Sequence, residues 1–256
     1  MSTTKDFDEL VAEAESVPVK GWDFSWFRGR ATEQRPSWGY SRLLVERVGH
    51  VDAAMDIETG GGEVFTEALE NAARLPRVVA ATESWPPNLE IAGRRLAPFR
   101  ALVVRAADEG PLPFRDRSFD LVVSRHPIVT VWEEIARVLR TGGSYLSQQV
   151  GAGSNRELYE FMMGPQPPSQ ARSPRRAVES AKAAGLIVVD LRQEPLETVF
   201  DDVGAVVYFL RKVVWTVPGF TVEKYRDRLR ALHEQIERDG PFVAYAQRFL
   251  IEAKRP

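Results

Sequence analysis

Four short apolar runs occupy the middle of the chain: HVDAAMDIE (50–58), RVVAATE (77–83), RALVVRAAD (100–108) and FDLVVSRH (119–126). Each is rich in valine, alanine or isoleucine and is bounded by glycine, proline or charge, the pattern of strands covered on both faces in a parallel sheet. Between the first two lies EVFTEALENAAR, where Val64, Ala68, Leu69 and Ala72 fall at helical spacing. Between the second and third, Pro86 and Pro87 in SWPPNLEIAGRRLAPF suit the first turn of a helix. VWEEIARVLR follows the fourth run as a helix, TGG reads as its stop, and SYLSQQV reads as a fifth strand. Strand and helix alternate, which predicts an α/β, doubly wound sheet.

Farther along, SPRRAVESAKAAG reads as a helix closed by Gly185, and LIVVDLRQEPLETVF as a strand bent near Pro195. TVEKYRDRLRALHEQIERDG is a strongly amphipathic helix. Tyr225, Leu229, Leu232 and Ile236 form its buried stripe, with Thr221 as cap and Gly240 as end. FVAYAQRFLIEAK closes the chain as a strand. MGPQPPSQARSP (163–174) is the most loop-like stretch. The pattern divides a single domain into an N-terminal helical and aromatic cap (1–48), a core (49–150) and a completing part (151–256) with an inserted helix–loop segment at about 201–240.

Composition narrows the classes. Hydrophobic residues are 44% and charged residues 27%, as in soluble globular proteins. A net charge of −2 gives no general attraction to nucleic acid or anionic membranes. The chain has no cysteine, which removes disulfides, thiolate chemistry and cysteine-ligated zinc. Three scattered histidines give no metal-ligand spacing, and no metal is expected. The acidic start MSTTKDFDELVAEAES has no apolar core like that of a secretory signal, and no run approaches a membrane span, so a cytoplasmic location is expected.

The candidate chemistry lies in DIETGGGE (56–63) at the end of the first strand. A glycine run there lets backbone approach a ligand. A phosphate loop would need Gly-Lys-Ser or Gly-Lys-Thr, and this chain has Gly-Gly-Glu. A dinucleotide fingerprint built on Gly60 and Gly62 would place Phe65 where a small residue is required. Asp56, Glu58 and Glu63 bracket the turn, and their charge would repel a pyrophosphate but suit a cationic ligand.

DIETGGGE resembles motif I of the class I S-adenosylmethionine-dependent methyltransferases, where an acidic residue precedes a Gly-x-Gly turn. The resemblance continues in order. Glu83 ends the second strand in ATE, DEGPLPFRDRSFDLVVS (108–124) is similar to the family's stretch after the third strand, and EEIARVLRTGG (133–143) is similar to its helix and turn. It covers about residues 45–150 and implies a Rossmann-like, seven-stranded, mostly parallel sheet with an antiparallel last strand. It also implies S-adenosyl-L-methionine as cofactor. The cofactor would be held by Asp56, Glu58, Thr59, Gly60, Gly61, Gly62, Glu83, Ser84, Asp108, Glu109, Ser124 and Arg125. In that reading Glu83 takes the ribose hydroxyls and Asp108 the adenine amino group. Two residues depart from the family pattern: Glu58 stands where glycine is usual, and Thr141 where proline is usual.

The acceptor is less legible. His126 follows the fourth strand, at the ligand edge of the sheet, as a candidate general base. GWDFSWFRGRATEQRPSWGY (21–40) carries six aromatics, and VGAVVYFLRKVVWTVPGF (203–220) precedes the last strand. Trp26, Trp38, Tyr208 and Trp215 are the candidate acceptor-binding residues from these segments, with core packing as the rival role. A small-molecule acceptor is expected. An RNA base is the first alternative, and cofactor binding without catalysis the second.

Overall fold

The structure is a computed structural model that describes residues 6–19, 24–167 and 171–256. Trp22 and part of the proline-rich stretch lie outside the described residues. The chain divides into two compact units. One comprises Met1–Arg35, Gly153–Ser169 and Pro195–Gln247; the other comprises Pro36–Ala152, Gln170–Glu194 and Arg248–Pro256.

The second unit carries the parallel sheet. Its strands are β2 (Ala53–Ile57), β3 (Val78–Glu83), β4 (Leu102–Arg105), β5 (Phe119–Arg125) and β6 (Leu139–Val150). β2 pairs in parallel with both β3 and β5, β3 with β4, and β5 with β6. The strand order therefore reverses at β2, the position where open α/β sheets form their ligand crevice. Alternation along the strands builds two cores. Ala54, Ala81, Leu121 and Val123 meet α2 (Tyr40–Val48), α3 (Glu63–Asn71) and α4 (Pro86–Leu96) on one face. Ala53, Met55, Ala80 and Val122 meet α5 (Trp132–Val138) and α7 (Pro174–Ala183) on the other.

Between α5 and α7 the chain forms α6 (Arg156–Met163), which belongs to the first unit. That unit is mainly helical. α1 (Phe7–Ser16) opens with a capping box in which Asp6 and Glu9 exchange hydrogen bonds. α8 (Val203–Lys212) is buried almost all round, as its apolar sequence requires. α9 (Val222–Asp239) starts where the Thr221 hydroxyl accepts from the Lys224 N–H and buries Leu229, Leu232 and Ile236 of the predicted stripe, with Tyr225 half-buried.

Among the described residues, with β1 (Ala31–Glu33), β7 (Ile187–Phe200) and β8 (Phe242–Lys254), the sheet has eight strands in the order β1-β7-β8-β6-β5-β2-β3-β4, one more than the expected seven. The extra strand, β1, lies in the segment read as a helical and aromatic cap and pairs antiparallel with β7. The last strand, β8, pairs antiparallel with β6, as expected. TGG does not stop a helix but lies inside β6, where Gly142 and Gly143 exchange backbone hydrogen bonds with Arg255. The Arg255 guanidinium donates to the carbonyls of Ala136, Arg137 and Leu139 where α5 ends, two residues earlier than the sequence suggested. Gly143 is required there, since a Cβ would come within 2.9 Å of the Arg140 carbonyl oxygen and 3.1 Å of that of Asp120.

Candidate active site

The glycine turn is stapled to the neighbouring strand. Glu83 is buried at the end of β3, and its two carboxylate oxygens accept from the backbone N–H groups of Gly60 (2.8 Å) and Trp85 (2.9 Å). The Thr59 N–H donates to the Thr82 carbonyl at 2.9 Å, and the Gly62 N–H closes the turn on the Thr59 carbonyl at 3.0 Å. Gly60 and Gly62 have φ of 61° and 79°, the left-handed region that glycine enters without steric cost. Gly61 lies between them.

Three of the carboxylates are differently placed. Asp56 is buried behind the turn and accepts from the Thr59 hydroxyl at 2.7 Å. Burial pushes its carboxyl up to about 7, against the lowering effect of Thr59. Glu63 is turned away and pairs with Arg95, so it does not add its charge to the ligand side of the turn as the sequence suggested. Glu58 takes the left-handed backbone of a glycine, with φ of 54°. Its carboxylate reaches across to the loop after β5, accepting from the N–H groups of Ile128 (2.6 Å) and Val129 (3.5 Å). Burial pushes the Glu58 carboxyl up to about 7, while those N–H groups oppose the shift.

Glu58, Glu83, Ser84, Asp108 and Ser124 line a single cleft at the carboxyl ends of β2, β3 and β5. The bridge from Glu58 draws it in to about 20 Å³, room for one water. One oxygen of Asp108, Oδ1, is buried with no hydrogen-bond partner. The segment that follows Asp108 is held by Arg137, whose guanidinium donates to the carbonyls of Leu112 and Phe114 and to Glu134 and Asp116. Ser124 joins a buried hydroxyl cluster with Tyr145 (2.7 Å) and Ser147 (2.9 Å), and its carbonyl accepts from the Tyr40 hydroxyl. Glu109 and Arg125 are exposed, and neither they nor Asp56, Thr59, Gly60, Gly61 and Gly62 line this cleft.

His126 also has left-handed backbone, φ of 56°. Trp38 Nε1–H donates to Gln148 Oε1 at 2.8 Å, which orients the amide so that Gln148 Nε2 donates to His126 Nε2 at 2.9 Å. The ring's acceptor nitrogen is therefore engaged, and Nδ1 carries the proton. Burial, reinforced by Arg125, Arg248 and Arg172, pushes His126 down to about 3 and keeps it neutral. In this arrangement the imidazole has no free lone pair with which to take a proton.

The candidate aromatics fall in both units. Trp38 is buried in the second, in the chain of hydrogen bonds to His126. Tyr208 is core in the first, between Trp26 (4.9 Å) and Phe27 (5.1 Å), and Trp215 is exposed there. Sequence reasoning missed Thr82, Tyr145 and Gln148. The two glutamines ending SYLSQQV, polar groups in a buried strand, were the available signal. Among the described residues, no group of acidic or histidine side chains could hold a metal, and no helix is long and apolar enough to cross a membrane.

Comparisons with known proteins agree with this fold. Residues 55–147 match the model of a methyltransferase domain family. The chain is 23% identical over 252 residues to a malonyl-[acyl-carrier protein] O-methyltransferase of Marinomonas sp. (strain MWYL1), spanning 89% of this chain and 91% of that protein. The YcgJ protein of Bacillus subtilis superposes with a TM-score of 0.60 at 16% identity, covering 84% of this chain and 97% of that one. Geranyl diphosphate C-methyltransferase of Streptomyces coelicolor A3(2), solved with Mg2+, geranyl diphosphate and S-adenosyl-L-homocysteine, superposes with a TM-score of 0.52 at 16% identity, covering 86% and 79%. The strand reversal at β2 and the acidic cleft on it fall in the stretch, residues 55–147, that matches the methyltransferase-domain model.

Proposed function

We propose that the chain binds S-adenosyl-L-methionine in the acidic cleft and transfers its methyl group to a small-molecule acceptor. The observation that carries this reading is the buried, unpartnered Asp108 Oδ1 in the same cleft as Glu83. An orphan acceptor suits an amino donor such as that of adenine. The Glu83 oxygens, each already taking one backbone N–H, keep lone pairs for two ribose hydroxyls. Carboxylates at 58, 83 and 108 favour a cation over a phosphate.

When bound, the cofactor supplies a methyl group activated by a sulfonium. The residues of this chain then have to align, exclude water and hold charge. The turn at 58–62 brings backbone close to the ligand, Glu83 and Asp108 fix the nucleoside, and the hydroxyl cluster at Ser124 closes the floor. His126, neutral and oriented through Gln148, offers an Nδ1–H as a donor rather than a base. The curated relative named for a malonyl-carrier substrate and the neighbour solved with geranyl diphosphate are similar proteins whose named substrates fit the same reading.

The Glu58 bridge supports a second reading, cofactor binding without transfer, because it spans the cleft. Calorimetric titration with S-adenosylmethionine and its demethylated product tests the first step. Binding of both in the micromolar range is expected, and none at millimolar concentration rejects the proposal. Methyl release in the presence of candidate acceptors separates the two readings.

A further inference from the structure

A second cavity, of about 360 Å³, opens beside the acidic cleft within the same unit. That volume lies in the range of about 300–1,000 Å³ typical of small-molecule sites. The loop Pro127–Thr130 walls both spaces, since Pro127, Val129 and Thr130 line each. The rest of the wall comes from Trp132 at the start of α5, the end of β6, Phe249 of β8, and the start of α7 with the residues before it.

Its chemistry is the reverse of the cleft's. No carboxylate lines it, while Arg172 and Arg176 do, and among the described residues neither guanidinium has an ion-pair partner. Elsewhere in the unit arginines are matched: Arg137 holds Glu134 and Asp116, and Arg140 holds Asp120. Arg172 lies near enough to His126 for its charge to help lower that imidazole. The lining also holds apolar side chains. Trp132 is buried with its ring edge-on to Tyr145 at 5.4 Å, and Ile128 is 63% exposed at the rim. Between them, Gln149 Nε2 donates to Thr130 and Ser147.

We infer that this cavity receives the methyl acceptor, and that the acceptor pairs an oxyanion, carboxylate or phosphate, with an apolar or aromatic body. The oxyanion takes the fork-shaped donors of Arg172 and Arg176, which match planar or tetrahedral oxygens. The body lies against Ile128, Trp132 and Phe249, where leaving water is favourable. The shared wall puts the reactive end of such a molecule next to the cleft. The role as acceptor rests on the proposed methyl transfer; the binding preference stands apart from it.

The test is titration of the full chain with 3-phenylpropionate, phenyl phosphate and the neutral 3-phenylpropanol. At least one acid is expected to bind ten times more tightly than the alcohol, and the stronger of the two acids identifies the oxyanion. In the Arg172→Gln, Arg176→Gln double variant that preference should disappear, with alcohol binding and S-adenosylmethionine binding unchanged. Arg172→Lys, which keeps the charge but not the fork, should retain part of it. Ile128→Ser should weaken acid and alcohol alike. Equal binding of acid and alcohol to the native chain, or an undiminished preference in the double variant, overturns the inference. If S-adenosylmethionine fails to bind while the acid preference holds, the proposed activity falls and the oxyanion site remains.

Discussion

The two cavities of the sheet-bearing unit share a wall and differ in sign. Glu58, Glu83, Asp108 and Glu134 line the cleft with no lysine or arginine, whereas Arg172 and Arg176 line its neighbour with no carboxylate. The difference teaches that charge of one sign is gathered at each cavity rather than mixed across both. At an effective dielectric of about 20, unit charges about 4 Å apart interact by about 4 kcal/mol, enough to keep a cation and an anion in separate chambers.

The comparison can be broken from the acidic side first. Glu83→Ala removes both the staple on Gly60 and Trp85 and the proposed ribose acceptor, and should weaken S-adenosylmethionine binding by roughly 1–3 kcal/mol. Unchanged affinity by calorimetry would leave Glu83 as a purely structural group. Next is pH. Asp56 and Glu58 hold their protons to about pH 7 in the folded chain, and a cationic ligand favours their ionised forms. Affinity should therefore rise with pH, by up to about tenfold per carboxylate per unit, and level off above 7. A flat profile between pH 5.5 and 8 contradicts this.

The same groups give stability a matching signature. Asp56 and Glu58 bind protons more tightly folded than unfolded, so their contribution falls as pH rises from the ordinary carboxyl range to about 7. His126 acts oppositely. Its folded value near 3 lies below the unfolded imidazole's, so stability is lost as pH drops from about 6.5 towards 3. His126→Asn should remove that acid-side loss, seen as a smaller fall in Tm between pH 7 and 4.5.

Smaller effects sharpen the contrast. Glu58→Gly relieves left-handed backbone of about 1 kcal/mol and frees the Ile128 N–H, so cofactor affinity should rise several-fold. A drop in affinity would instead mark Glu58 as a direct ligand contact. Asp108→Ala, which deletes a single acceptor, should cost about 1 kcal/mol of cofactor binding and leave Tm within a degree or two.

Much of this was legible in the sequence because it is local. Strands covered on both faces appear as apolar runs, and a glycine turn between carboxylates appears as DIETGGGE. Glu83 and Asp108 each end or follow such a run. Contacts between distant segments left no trace. The Glu58 bridge joins residues 70 apart through the backbone of a loop, and backbone donors have no sequence signature. The lone pair of His126 is taken by a glutamine whose orientation depends on Trp38, from a third segment. Arg172 and Arg176 sit beside a proline-rich stretch that read only as a surface loop, and they become a site only where α7 meets the loop after β5. β1 was missed because three residues, Ala31–Glu33, are too few to show a period.

The loop 127–130 is one piece of backbone lining two chambers, held by the Glu58 carboxylate from β2's end and by the Gln149 amide of β6. Any guest that unfastens it reshapes its neighbour's lodging at the same moment. Thermodynamic reciprocity then requires each guest to alter the other's dissociation constant by one common factor. The size of that coupling, read as the shift in one compound's dissociation constant when the other is saturating, becomes a property written into four residues.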